Sequence, residues 1–172
     1  MKLTCIKFAL LILVALLFGS IVHAQDEKFE ALFIYNFTKY IEWPSESQSS
    51  EFVITVLGSG DIIPELASIS SRMSANSKHI IIKKANSPFA IPPSQILFVS
   101  KEKTGEIPQI LENIKNRNIL LIAEKPNACA IGAGVNFISK GGNLSFELSR
   151  ENVEKYGLKV NTQLLTLGTL VK

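Results

Sequence analysis

Phe52-Val53-Ile54-Thr55-Val56-Leu57-Gly58-Ser59-Gly60-Asp61 is a short, almost continuous apolar run that stops at a glycine-bounded turn. A run of this length without polar alternation reads as a strand buried on both faces, the kind that parallel sheets contain. A helix follows, with Pro64 in its first turn and Ile63, Leu66 and Ala67 expected inward. The alternation then repeats. Ile80-Ile81-Ile82 is a second strand and Ile96-Leu97-Phe98-Val99 a third, joined by a proline-bearing connection from Ser87 to Pro93. Ile107, Ile110, Leu111 and Ile114 recur at i, i+3, i+4 and i+7, which is one face of a helix, and Ile119-Leu120-Leu121-Ile122 is a fourth strand.

The chain changes character on either side of this block. Upstream, Phe29, Leu32, Phe33, Phe37 and Tyr40 recur at helical spacing, predicting a helix over 26–42 with an aromatic stripe. The helix should end at Glu42-Trp43-Pro44, because a residue before proline avoids helical angles. A polar loop follows over 45–51. Downstream, Val135-Asn136-Phe137-Ile138 and Leu144-Ser145-Phe146-Glu147-Leu148 alternate apolar and polar around Lys140-Gly141-Gly142-Asn143, the signature of a β-hairpin. Ser149 is placed to cap a short helix ending at Gly157, and Asn161 to cap a final helix carrying Leu164, Leu165, Leu167 and Leu170. Together these readings predict one α/β domain over 25–172. It has three layers: a mostly parallel sheet, flanking helices and a C-terminal antiparallel hairpin.

The first residues read differently. Lys2 and Lys7 precede an unbroken apolar run of 11 residues from Phe8 to Phe18, then Gly19, Ser20 and Val22-His23-Ala24. A cationic start, a short apolar stretch and small residues at a cleavage point make a secretory signal peptide over 1–24. Its removal corrects the composition. The full chain has 172 residues, 47% hydrophobic, and a net charge of +3. Without the leader, two lysines and no acids are lost, so 16 basic residues face 15 acidic ones and the charge is +1. No basic stripe remains to meet phosphates, which argues against a nucleic-acid partner. No later apolar stretch is long enough to span a bilayer, so stable membrane insertion after cleavage is not expected.

The chemical inventory is sparse. Cys5 lies in the leader, which leaves Cys129 alone, unable to form an internal disulfide; it reads as a small core residue or as a free thiol. His79 is the one histidine outside the leader and reads as the start of a strand. One His and one Cys cannot enclose zinc, so no metal site is expected. No serine sits in a G-x-S-x-G elbow. Glu42, Glu124 and Glu147 are the carboxylates considered for acid-base work, but nothing in sequence converges two of them, and Glu147 reads as solvated. No catalytic residue and no cofactor are therefore assigned. Gly58, Ser59 and Gly60 form either a tight β-α turn or a weak anion-binding turn, lacking the third glycine and the lysine of the phosphate fingerprints. Phe33, Phe37, Tyr40 and Trp43 are either core or the wall of a ligand or partner pocket.

The order and spacing of these segments resemble the YfiR family of exported bacterial proteins. The resemblance rests on several blocks: the run from Ala31 to Trp43-Pro44, the strand-glycine segment Phe52 to Gly58, Ile96-Leu97-Phe98-Val99-Ser100, and the hairpin block from Gly134 through Gly141-Gly142 to Leu148. It extends to Gly157-Leu158-Lys159-Val160 with Leu164, Leu165 and Leu167. The resemblance implies structural roles for Trp43, Pro44, Gly141, Gly142, Phe146, Gly157 and Leu165. It also implies a periplasmic α/β domain without catalytic activity that binds the periplasmic sensor region of an inner-membrane diguanylate cyclase. In that scheme cyclic-di-GMP synthesis, and with it biofilm formation, is held down. Repression is released when an outer-membrane lipoprotein sequesters the regulator, or under redox stress. A sensor kinase or an outer-membrane receptor system is the alternative partner, and a homodimer is implied. The family's redox arm uses internal disulfides, which the lone Cys129 cannot supply. A small-ligand-binding sensory module is the second functional reading, and a hydrolase the third.

Overall fold

The structure is a computed structural model that describes residues 26–44, 50–75 and 77–171. The leader read over 1–24, Cys5 and most of the 45–51 loop lie outside the described residues.

Helix α1 covers 26–40, two residues shorter than its periodicity predicts. Ile41–Glu42 instead form strand β1, antiparallel to a later segment, with Ile41 opposite Val160. The Asn161 N–H also donates to the Tyr40 carbonyl at 2.8 Å. A tertiary pairing thus ends the helix before Trp43-Pro44 can. The aromatic stripe is also displaced. Ala31, Ile34 and Phe37 are buried, whereas Phe29 is exposed and Phe33 and Tyr40 are only half-buried. Successive residues turn by about 100°, so Phe29, Phe33 and Tyr40 lie on one rim of a face centred on Ile34.

Strand β2, Glu51–Leu57, is buried from Phe52 onward, as its unbroken apolar run requires. Helix α2, Ile63–Ser70, has Pro64 in its first turn and buries Leu66 and Ile69; Ala67, expected inward, faces solvent. Ser74–Ala75 make a short strand, β3, antiparallel to β4. Strand β4, Lys78–Ala85, extends beyond the expected isoleucine core and contains His79. Strand β5, Ile96–Val99, leads through the 3-10 turn Lys101–Glu106 into helix α3, Ile107–Ile114. Helix α3 buries Ile107, Ile110 and Ile114. Strand β6, Leu120–Ala123, precedes a second 3-10 turn, Ala128–Ile131.

Strands β7, Val135–Lys140, and β8, Asn143–Ser149, form the expected hairpin, with Lys140 opposite Asn143. Gly141 and Gly142 both have positive φ, 61° and 81°, the conformation a two-residue primed turn needs. Ser149 caps helix α4, Arg150–Lys155, accepting from the Asn152 N–H. Strand β9, Lys159–Val160, is the partner of β1. Asn161 caps helix α5, Thr162–Leu165, by accepting from the Gln163 N–H. That helix is a single turn. The segment expected to prolong it is strand β10, Thr169–Val171, parallel to β8. A Cβ at Gly168 would overlap the Phe146 ring, so glycine is what lets β10 approach.

The main sheet runs β10-β8-β7-β6-β5-β2-β4-β3. The four central pairings, β4-β2, β2-β5, β5-β6 and β6-β7, are parallel. On one face α1, α2, α4 and α5 bring Ile34, Phe37, Leu66, Val153 and Leu164 against Ile54, Phe98, Ile122 and Phe146. On the other, α3 packs on Leu57, Leu97, Val99 and Leu121. The molecule is therefore a three-layer α/β domain. No helix among the described residues is long and apolar enough to cross a membrane.

Candidate functional site

The connection from β2 through α2 runs to β4 on one side, while that from β5 through α3 runs to β6 on the other, so the winding reverses between the neighbouring strands β2 and β5. Parallel sheets bind ligands in the crevice this reversal opens at the strand C-termini. Here the crevice holds Gly58-Ser59-Gly60. The Ser59 N–H donates to a Glu102 carboxylate oxygen, and Lys84 Nζ donates to the Ser59 carbonyl at 2.9 Å. Gly58 has φ +128°, and a Cβ there would meet Ser100 and Glu102 at 2.6 Å. The anion at this turn is thus the chain's own Glu102.

Phe33 and Phe37 both pack edge-on against Phe146, with centroids at 5.3 and 5.1 Å, and Phe33 also faces Phe137 at 6.1 Å. Tyr40 packs half-buried against the same core. Trp43 stands apart: its ring meets Phe52 at 5.0 Å and its Nε1 donates to the Gln95 carbonyl at 3.1 Å. None of the cavities described next is lined by any of these four.

A cavity of about 550 Å³ lies between α3 and α4. Leu111 and Ile131 give it an apolar floor, and Lys115, Lys155, Glu112 and Tyr156 line it. Its wall is the segment around the second 3-10 turn, fastened from behind. Tyr156 Oη donates to the Gly132 carbonyl at 2.8 Å, and the Asn152 amide donates to the carbonyls of Cys129 and Ala133. Asn136, on the nominally polar side of β7, is fully buried. Its Oδ1 accepts from the Cys129 N–H, and its Nδ2 donates to Glu147 at 2.8 Å. Glu147 is therefore half-buried and partnered rather than solvated. Cys129 is buried behind this network, and burial pushes its thiol up to about 12, away from the reactive thiolate.

A second cavity, of about 270 Å³, opens at the start of α1. Asp26, Glu27 and Glu30 from the helix face Glu124, the residue after β6, with Lys101 beside them. Glu124 Oε2 accepts from the Lys101 N–H at 3.0 Å. Glu30 is only 5% exposed, and its carboxyl has no hydrogen bond or ion pair among the described residues. Burial, followed by the charges of Glu124, Asp26 and Glu27, pushes this carboxyl up to about 8. Glu124 is also raised, again chiefly by burial. The three carboxylates considered from sequence do not share a site: Glu42 lines a groove with Arg150 and Glu154, Glu124 lines the α1 cavity, and Glu147 holds Asn136.

Sequence reasoning missed Glu30. The phase Ala31, Ile34, Phe37 and Ile41 would have placed it inward, but the aromatic stripe suggested a different phase.

No curated protein shows a match to the chain. The family model for YfiR/HmsC-like proteins matches residues 27–169, which reach from α1 to the first residue of β10, and the chain belongs to that family.

Proposed function

We propose that this protein is a periplasmic regulator that acts by binding rather than catalysis. Its partner is the sensor region of an inner-membrane diguanylate cyclase, through which it changes cyclic-di-GMP and biofilm-related output. The observation that carries this reading is membership of the YfiR/HmsC-like family, whose theme is periplasmic control of such a cyclase. An exported location follows from the same reading and from the leader over 1–24. A contact surface consistent with it lies at the β10 edge. Among the described residues β10 pairs only with β8, and Leu167 and Leu170 beside that edge are more than half exposed. An edge strand with one open side and exposed leucines is a surface that a partner or a second copy could cover.

Deleting the gene and measuring cyclic-di-GMP tests the reading. A raised level, with a cyclase recovered by crosslinking to the tagged protein, is expected; an unchanged level with no cyclase recovered would overturn it. An outer-membrane lipoprotein that sequesters the regulator, and a homodimer, are further parts of the proposal. Sedimentation of wild type against Leu170→Asp reads the dimer.

The 550 Å³ cavity favours a second reading, a small-ligand sensory module coupled to a sensor kinase or an outer-membrane receptor system. Its size falls within the roughly 300–1,000 Å³ usual for ligand pockets. A thermal-shift screen with aromatic amino acids and nucleotides tests it, and flat melting curves throughout would count against it.

A further inference from the structure

We propose that the cavity at the start of α1 is a binding site for an alkyl cation, meaning a primary ammonium or guanidinium carried on a methylene chain. The inference does not depend on which signalling partner the protein has.

Three observations lead to it. The first is Glu30, a residue only 5% exposed whose carboxyl lines the cavity and makes no hydrogen bond or ion pair among the described residues. A carboxyl that opens onto a cavity and takes no donor from the chain has its oxygens available to accept from a ligand. The second is the sign of the surroundings. From α1 come Asp26 and Glu27, from the end of β6 comes Glu124, and among the described residues the only lining cation is Lys101. Lys101 gives its backbone N–H to Glu124, but its ammonium makes no ion pair among the described residues. The strands β7 and β8 contribute no charge to the lining. The third is the opposite wall, where Phe137, Ile138 and Leu144 are apolar. A methylene stem would lie on that wall while its charged head met the carboxyls, the way lysine and arginine side chains divide themselves between apolar and polar surroundings.

The alternatives fit less well. A divalent metal needs several oxygens converging at about 2.0–2.6 Å, and no three acidic, histidine or cysteine groups among the described residues are so arranged. A cation with several N–H donors can reach carboxyls spread more widely. The volume, about 270 Å³, suits a side chain or short amine rather than a nucleotide.

Binding a cation would favour the ionised form of Glu30. Burial pushes the Glu30 carboxyl up to about 8, so binding near neutral pH should release a proton. The source of the cation is either a free amine or a lysine or arginine side chain of a protein partner.

Isothermal titration of the purified protein at pH 7.5, repeated in two buffers of different ionisation enthalpy, tests the proposal. n-Butylammonium should bind one to one with release of up to one proton, while n-butanol, with the same stem and no charge, should not bind. Glu30→Gln should weaken butylammonium at least tenfold and abolish the proton release, and Glu124→Gln should weaken it less. Circular dichroism confirms that each variant is folded. Binding of N-acetyl-lysine-methylamide or its arginine counterpart assigns the site to a partner's side chain, whereas binding of butylammonium and putrescine alone assigns it to free amines. No saturable binding of any of these, or calcium binding that needs Glu30 and excludes butylammonium, would overturn the proposal.

Discussion

Glu102 and Glu30 stand at the same edge of the sheet in opposite circumstances. Glu102 follows β5 on a surface turn. It accepts the Ser59 N–H at the end of β2, with Lys84 holding the neighbouring carbonyl. Glu30 reaches the end of β6 from the inward face of a helix. There it meets Glu124, Asp26 and Glu27, with apolar Phe137 and Leu144 behind, and receives no donor. A carboxylate at a strand end can complete the fold by satisfying a backbone amide. A carboxyl buried among like charges keeps its proton to higher pH, because its ionised form is disfavoured.

The largest test of that contrast is pH. Glu30 titrates near 8 in the folded chain against an ordinary value of 4.5, so between these values the folded state keeps a proton that the unfolded state has lost. Stability should therefore fall as pH rises from about 5 to 8, by up to ~1.4 kcal/mol per unit and on the order of 4 kcal/mol in all. Urea denaturation at stepped pH measures this, and Glu30→Gln should flatten the limb. Equal slopes in the two proteins would erase the contrast.

Next in size is Gly58→Ala. The left-handed φ and the overlap with Ser100 and Glu102 should cost on the order of 3 kcal/mol. Denaturation midpoints read the loss; a tolerated alanine would mean that Glu102 does not seal the crevice. Trp43→Ala acts at the opposite edge, removing the ring from Phe52 and the bond to the Gln95 carbonyl. It should cost about 2 kcal/mol and leave the pH slope of Glu30 intact. A changed slope would show that the two edges are coupled. The smallest expected effect is Glu102→Gln. Its amide oxygen can still accept from the Ser59 N–H, so the cost should be about 1 kcal/mol, with no change in the slope between pH 5 and 8.

Much of the fold was legible because its signals are local. Ile96-Leu97-Phe98-Val99 reads as a buried strand from its own residues, and each of its positions is buried. Ser149 and Asn161 act as caps because a cap needs only the amide two or three residues on. The errors fall where a distant segment intervenes. Glu147 reads as solvated from strand alternation, yet Asn136, covered by the segment around Cys129, donates its amide to it. Leu170 reads as helical from leucine spacing, yet β8 offers a free edge and draws Thr169–Val171 into the sheet. Among the candidate site residues, Gly58 to Gly60 could be placed at a strand end from sequence, but the carboxylate that occupies the turn lies 43 residues away.

By itself the sequence determined the α/β alternation, the Gly141-Gly142 hairpin and the caps of α4 and α5, because each depends on a few neighbouring residues and their backbone preferences. Only the tertiary structure decided which face of α1 is buried, that β10 joins the sheet as an edge strand beside β8, and that Glu30 sits beside Glu124 without a donor among the described residues. Those outcomes depend on which side chains from remote segments arrive at the same place. Periodicity gives the direction in which a side chain points along its own element, but not what it meets there.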